Sequence, residues 1–207
     1  SLAGKALERG NWGYNAVNIR DFASGVHKSV DDTPYGGGAG MVMRADIIEG
    51  ALLSIPKPGR KIYLSPRGKP LTQAMAQEFS QKTDITLLCG RYEGVDQRVL
   101  DAYDFEEISI GDYVLSGGEP AAMIFMDVCI RLLDGVMGND ETVSEESFSN
   151  GLLEYPHYTR PATWETKDGE ALDVPDVLKS GDHKKIDEWR NSQSKDITQA
   201  RRPDLLD

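Results

Sequence analysis

Apolar residues recur along the chain in short blocks whose spacing switches between helical and extended periods. Leu2, Ala3, Ala6 and Leu7 share one helical face that Gly10 would end, and Ile47, Ile48, Ala51 and Leu52 mark a second helix. Residues 12–19 alternate as a half-buried strand would. Residues 61–65 read as a strand closed by Pro66, and Leu71, Ala74, Met75 and Phe79 predict a helix after it. The run 85–89 is a continuously apolar strand, Val95, Val99 and Leu100 suggest a helix, and 105–110 another strand. A long helix over 120–133 carries Pro120 near its first turn. Strands alternating with helices predict an α/β fold with a mostly parallel sheet covered on both faces.

That alternation stops near Gly138. Residues 139–150 hold Asp140, Glu141, Glu145 and Glu146 with no basic residue, which reads as a flexible interdomain linker. Beyond it no strand pattern is visible, only short helical pieces at 174–179 and 183–194, so residues 151–207 are expected to form a small helical domain. The main domain is expected over 1–138.

The 207 residues are 39% hydrophobic, enough to bury a core without a disulfide or structural metal. Cys89 and Cys129 lie in apolar surroundings with no metal-ligand spacing, as in a reduced, cytoplasmic chain. The longest apolar run, 121–126, is too short to span a membrane, and no signal peptide is visible. A net charge of -11 argues against nonspecific adhesion to nucleic acid. Any nucleic-acid partner must be held locally, and residues 184–202 offer a positive balance through Lys184, Lys185, Arg190, Lys195, Arg201 and Arg202.

In an open parallel sheet ligands bind beyond the carboxyl ends of the strands. The segments 64–68, 89–94 and 110–119 occupy those places, and all three are rich in glycine or proline, which lets backbone approach a ligand. The run Gly36-Gly37-Gly38-Ala39-Gly40 matches neither dinucleotide nor nucleoside-triphosphate fingerprints, and by itself it carries little functional weight. Arg131 is unusual, a long cation following the apolar Cys129 and Ile130.

Taken together, CGRYEGVDQRV (89–99), SIGDYVLSGGE (109–119), VDDTPYGGGAGM (30–41), YLSPRG (63–68) and GLLEYPHYTRP (151–161) closely resemble the bacterial tRNA (guanine-N1)-methyltransferases, the TrmD family of the SPOUT class. The likeness runs from about residue 2 to the end. It implies a SPOUT-type parallel sheet with a deep trefoil knot, a homodimer whose active sites draw on both chains, a tRNA substrate, and S-adenosyl-L-methionine as methyl donor. It also implies a further leading strand and half-helix that this chain lacks. Carried over position by position, the cofactor pocket comprises Leu64, Ser65 and Pro66; Gly90, Tyr92 and Glu93; and Ile110, Gly111, Tyr113, Leu115, Gly117 and Gly118.

One departure lies here: the family reads GGELPAM where this chain has Gly117-Gly118-Glu119-Pro120-Ala121-Ala122-Met123. The family's base, an aspartate before Ser-Phe, corresponds to Glu146, and its guanine-contacting arginine to Arg131. Arg160, Lys184, Lys185, Arg190, Arg201 and Arg202 are the expected grip on tRNA. The resemblance further implies Mg2+, for which the sequence shows no ligand set.

The implied reaction is methylation of N1 of the guanosine at tRNA position 37, 3′ of the anticodon. A noncatalytic RNA-binding SPOUT-fold module, its chemistry lost with the change from aspartate to glutamate, is the alternative reading, and a ribose 2′-hydroxyl methyltransferase a third.

Overall fold

Ile62, Tyr63 and Leu64 turn alternately to the two faces of a strand that organises the whole N-terminal part of the protein. The computed structural model describes residues 1–81, 84–137, 146–148 and 150–206, and the chain divides into two compact units, Ser1–Gly138 and Asn139–Asp207.

In the first unit the elements are, in order, α1 (Leu2–Glu8), β1 (Asp31–Asp32), β2 (Val42–Met43), α2 (Ala45–Leu53), β3 (Arg60–Pro70), α3 (Gln73–Phe79), β4 (Ile85–Leu88), α4 (Gln97–Ala102), β5 (Glu106–Ser109) and α5 (Gly118–Ile130). β3 lies between β4 and β5 and is parallel to both. On one face Ile62, Leu64 and Ile108 pack against Ala76 and Phe79 of α3 and Ala121, Ala122, Phe125 and Cys129 of α5. On the other, Tyr63 and Leu88 meet Ile48 of α2 and Val99 and Leu100 of α4. Each large side chain buried this way contributes about 1.5–3 kcal/mol, so the two layers hold the sheet from both sides. Thr72 caps α3, its hydroxyl accepting the Met75 N–H at 3.2 Å, and Asp96 caps α4, accepting from Arg98 N at 3.0 Å. At the edge Arg60 stacks 4.1 Å over the Phe79 ring and binds Glu106 through two nitrogens, at 2.9 and 2.7 Å.

Three sequence expectations change in this unit. Residues 12–19 form no strand: the Trp12 indole N–H donates to the Ala3 carbonyl at 2.9 Å, which ties the segment to α1, and Asn18 caps a 3-10 turn over Ile19–Phe22. Local side-chain bonds claim these residues where no neighbouring strand offers a ladder. The third strand does not close at Pro66, since β3 resumes after an excursion: Leu64 and Lys69 both stand opposite Ile108, with Ser65–Pro66–Arg67–Gly68 looped out between them. Proline has no N–H for the ladder, so the chain leaves the sheet there and returns. Finally, α5 starts at Gly118, and Arg131 is its C-cap instead of a mid-helix residue. A cation is favoured at that end by the helix dipole.

The second unit contains β6 (Thr163–Glu165), β7 (Ala171–Asp173), α6 (Asp176–Lys179) and α7 (His183–Arg201), followed by a 3-10 turn at Pro203–Leu205. An antiparallel hairpin of β6 and β7 stands where helices alone are expected. Its residues are exposed on both faces, so no inside-outside contrast marks it in the sequence. α7 runs on to Arg201, past the expected end at residue 194. Its inner face is anchored by Thr198, fully buried, whose hydroxyl donates to the Ser194 carbonyl at 2.6 Å and accepts the Leu153 N–H at 2.8 Å. Most of the expected 139–150 linker lies outside the described residues.

Candidate active site

Because β3, β4 and β5 are parallel, the segments leaving their carboxyl ends meet at one side of the sheet, around a cavity of about 370 Å³. All twelve residues expected to hold the cofactor line it: Leu64, Ser65 and Pro66 from the β3 excursion, Gly90, Tyr92 and Glu93 after β4, and Ile110, Gly111, Tyr113, Leu115, Gly117 and Gly118 between β5 and α5.

Glycine is required here by close approach. A Cβ on Gly90 would fall 2.8 Å from Cε2 of Tyr63, whose ring supports the loop, and a Cβ on Gly118 would fall 2.7 Å from the Cys89 Cα. The bare Gly118 lets α5 begin directly against the β4 loop, where Gly118 N donates to the Gly90 carbonyl at 2.9 Å. Arg91 and Glu119 latch the same two segments together at 2.8 Å. Ser109 folds its own loop, its hydroxyl accepting the Gly111 N–H at 3.2 Å, and Ser65 does the same for Arg67 N at 3.2 Å. The walls are therefore fixed by main-chain and short side-chain bonds, as a preformed pocket needs.

Sequence reasoning misses Tyr63, Arg91 and Ser109, which also line the cavity, as does Ala121 beside the shifted proline. Tyr63 and Ser109 lie within or at the ends of predicted strands, so alternation toward the ligand side is the available signal. Burial raises the Tyr63 phenol and the Cys89 thiol above their ordinary values, and pushes the Cys129 thiol up to about 11. Both thiols thus stay protonated at neutral pH and are poor nucleophiles.

The two residues expected to act on the base belong to different units. Arg131 caps α5 outside the lining of this cavity. Glu146 lies on a turn of the second unit, where Phe148 N donates to the Leu152 carbonyl at 2.9 Å and Glu154 N to the Ser147 hydroxyl at 3.0 Å. Through Leu153 the turn is pinned to Thr198, a residue that no sequence pattern singles out. Glu146 lines a second, smaller cavity of about 190 Å³ there, together with Tyr155, Asp187, Arg190 and Asn191.

The six expected RNA-gripping residues differ in availability. Arg190 is turned inward, its guanidinium 4.9 Å over the Tyr155 ring and its Nε buried. Arg202 is bound to Asp204 at 2.6 Å, Lys185 to Asp182 at 3.1 Å and Lys184 to Glu188 at 4.0 Å. Arg160 and Arg201 are exposed. No group of three or more histidine, cysteine, aspartate or glutamate side chains that could hold a metal ion occurs among the described residues. Among them no helix is long and apolar enough to cross a membrane.

The sequence is 57% identical over 206 residues to a protein of Rhodospirillum rubrum named tRNA (guanine-N(1)-)-methyltransferase, covering 99% of this chain and 84% of that one. Proteins of the same name from Bartonella bacilliformis and Wolbachia pipientis wMel are 57% and 54% identical over 205 and 211 residues, covering 99% and 100% of this chain and 86% and 87% of theirs. The profile of the family described as tRNA (Guanine-1)-methyltransferase TrmD matches residues 1–207, the full length that also carries the cavity and the Glu146 turn, and the chain belongs to that family.

Proposed function

We propose that the chain methylates N1 of guanosine 37 in tRNA, taking the methyl group from S-adenosyl-L-methionine. The observation that carries this reading is the convergence of all twelve expected cofactor residues on one cavity in a chain that belongs to the TrmD family. The cavity suits the donor chemically. Apolar walls from Leu64, Ile110 and Leu115 accept an adenine ring and a thioether, backbone groups beside Gly90, Gly111 and Gly117 supply hydrogen bonds, and the Glu93 carboxylate favours a sulfonium charge. When bound, S-adenosyl-L-methionine supplies an electrophilic methyl group.

The protein's own residues do the rest. The N1 lone pair of guanine becomes available only when the N1 proton leaves, and the negative charge then spreads to O6. In this reading Glu146 accepts that proton, which is worth about 10²–10⁴-fold, and the Arg131 guanidinium stabilises the charge on O6. The latch between Arg91 and Glu119 keeps the loops in place, so that orientation contributes to the rate. The target base has to leave its stack to be reached, at a cost of a few kcal/mol.

We also assign to the chain the deep trefoil knot of the SPOUT class, on the strength of its membership of the family. A homodimer fits the exposed apolar Met123 and Ile124 on α5. The second unit grips tRNA, with Arg160 and Arg201 best placed for phosphates. Arg201→Ala is expected to weaken tRNA binding and to flatten the slope of log affinity against log salt by about 0.7 for each phosphate no longer neutralised. Arg190→Ala, by contrast, is expected to loosen the unit and leave the slope unchanged. Titration at several salt concentrations separates the two.

The test of the reaction is transfer of labelled methyl from S-adenosyl-L-methionine to tRNA carrying guanosine or adenosine at position 37, followed by identification of the modified nucleoside. 1-Methylguanosine formed only in the first supports the proposal. A ribose-methylated product, or tight tRNA binding with no transfer, overturns it in favour of one of the other two readings.

A further inference from the structure

The glycine run at 36–40 has a role that its own segment does not announce. Gly36, Gly37, Gly38 and Gly40 all have positive φ, but a Cβ on the first three would meet nothing within 4 Å. A Cβ on Gly40 would overlap both Cγ and Oε1 of Glu93 and fall 2.8 Å from its carboxyl carbon. The Glu93 side chain thus lies flat along the bare face of Gly40.

The placement is fixed from both sides by main chain. Glu93 N donates to the Met41 carbonyl at 3.0 Å, Met43 N to the Gly94 carbonyl at 2.9 Å, and Asp96 N to the Met43 carbonyl at 3.0 Å. Gly40 and the Glu93 backbone are therefore held by one short set of bonds, and a Cβ on Gly40 would turn the exposed Glu93 side chain out of the position it takes along the bare glycine. Glu93 lines the larger cavity, and among the described residues its carboxylate has no ion pair. A charge beside a cavity, with no cation of the described residues paired to it, is available to a cationic ligand.

We propose that Gly40 is a positioning residue: it holds the Glu93 carboxylate where it senses the charge of the cofactor's sulfur, so that the site prefers the sulfonium of S-adenosyl-L-methionine to the neutral thioether of S-adenosylhomocysteine. This rests on the reading that the larger cavity holds the methyl donor. The two ligands differ by one methyl group and one positive charge, so their affinity ratio isolates the charge recognition from the interactions they share.

The experiment is calorimetric titration of both ligands into the wild type and into Gly40→Ala, Gly36→Ala, Glu93→Gln and the Gly40→Ala/Glu93→Gln double variant. Glu93 is exposed, so a pair of this kind is worth about two- to fivefold. The ratio of Kd for the thioether to Kd for the sulfonium is expected to fall by about that factor in Gly40→Ala and in Glu93→Gln, with no further fall in the double variant. Gly36 shares a φ of +86 with Gly40 but has open space around it, so Gly36→Ala carries the same backbone strain and is expected to keep the wild-type ratio.

An unchanged ratio in Gly40→Ala, or a drop in Gly36→Ala equal to that in Gly40→Ala, overturns the proposal. Should Gly40→Ala not fold, Glu93→Asp replaces it: a side chain shorter by one methylene retreats from Gly40, and a ratio that survives this change overturns the proposal equally. If the wild type binds neither ligand, the cofactor reading falls and the role of Gly40 with it. If the wild type binds both and only Gly40→Ala behaves as wild type, the cofactor reading stands and the role of Gly40 alone is wrong.

Discussion

Glu146→Gln is expected to slow methyl transfer to tRNA by about 10²–10⁴-fold, measured in a single turnover with enzyme in excess. The amide keeps the size and most hydrogen bonds of the side chain but cannot take up the N1 proton. Cofactor affinity should not move, because Glu146 belongs to the second unit while the twelve residues proposed to hold the cofactor all belong to the first. Glu146→Asp restores the aspartate of the family pattern and is expected to keep most of the rate, as it preserves the base and shortens its reach by one methylene. Equal rates for wild type, Glu146→Gln and Glu146→Ala would remove Glu146 from the chemistry and favour the noncatalytic reading.

What the sequence discloses about this fold follows how strongly burial is imposed on each residue. Ile62, Tyr63 and Leu64 alternate between two packed layers, and Ile47, Ile48, Ala51 and Leu52 fall on one buried helical stripe, so periodicity finds both elements. Trp12 misleads because its run alternates as a strand does, whereas its indole N–H is committed to the Ala3 carbonyl. The hairpin of β6 and β7 is hidden because Trp164 and Leu172 face each other across the ladder in the open and offer no contrast to read.

The site is legible to a different depth at each level. The segments after β3, β4 and β5 follow from the general rule for parallel sheets, but the individual residues, and Glu146 among the four acidic residues of 139–150, need the family resemblance. Thr198 and Gly40 escape both routes. Their importance lies in neighbours far away in sequence, a buried hydroxyl accepting a distant N–H and a missing side chain making room for a distant carboxylate. A residue whose role is to be absent, as Gly40's Cβ is, leaves no chemical mark on its own segment.

The same logic makes Gly68→Ala a severe lesion in the first unit despite its small size. Gly68 ends the excursion that brings β3 back to Ile108, and a Cβ there would overlap the Ile108 nitrogen and the Glu107 carbonyl carbon and fall 2.6 Å from the Glu107 oxygen. All three are backbone atoms of β5, inside a parallel ladder with β3, so none can withdraw without opening the sheet. Overpacking costs about 1–3 kcal/mol, and here the upper end is expected because no flexible side chain is available to absorb it. The strain has one way out, which is to push the Ser65–Pro66–Arg67 excursion away from Ser109 and Ile110. Both segments line the larger cavity, so stability and S-adenosyl-L-methionine affinity are expected to fall together. Gly13→Ala is the control, because a Cβ at Gly13 meets nothing within 4 Å and no positive φ is involved, and it should change the denaturation midpoint by little. Urea unfolding followed by circular dichroism, with calorimetry of the methyl donor alongside, decides the matter. A Gly68→Ala protein as stable as Gly13→Ala would mean that the excursion and β5 are not wedged together, and the cavity's shape would then need another cause.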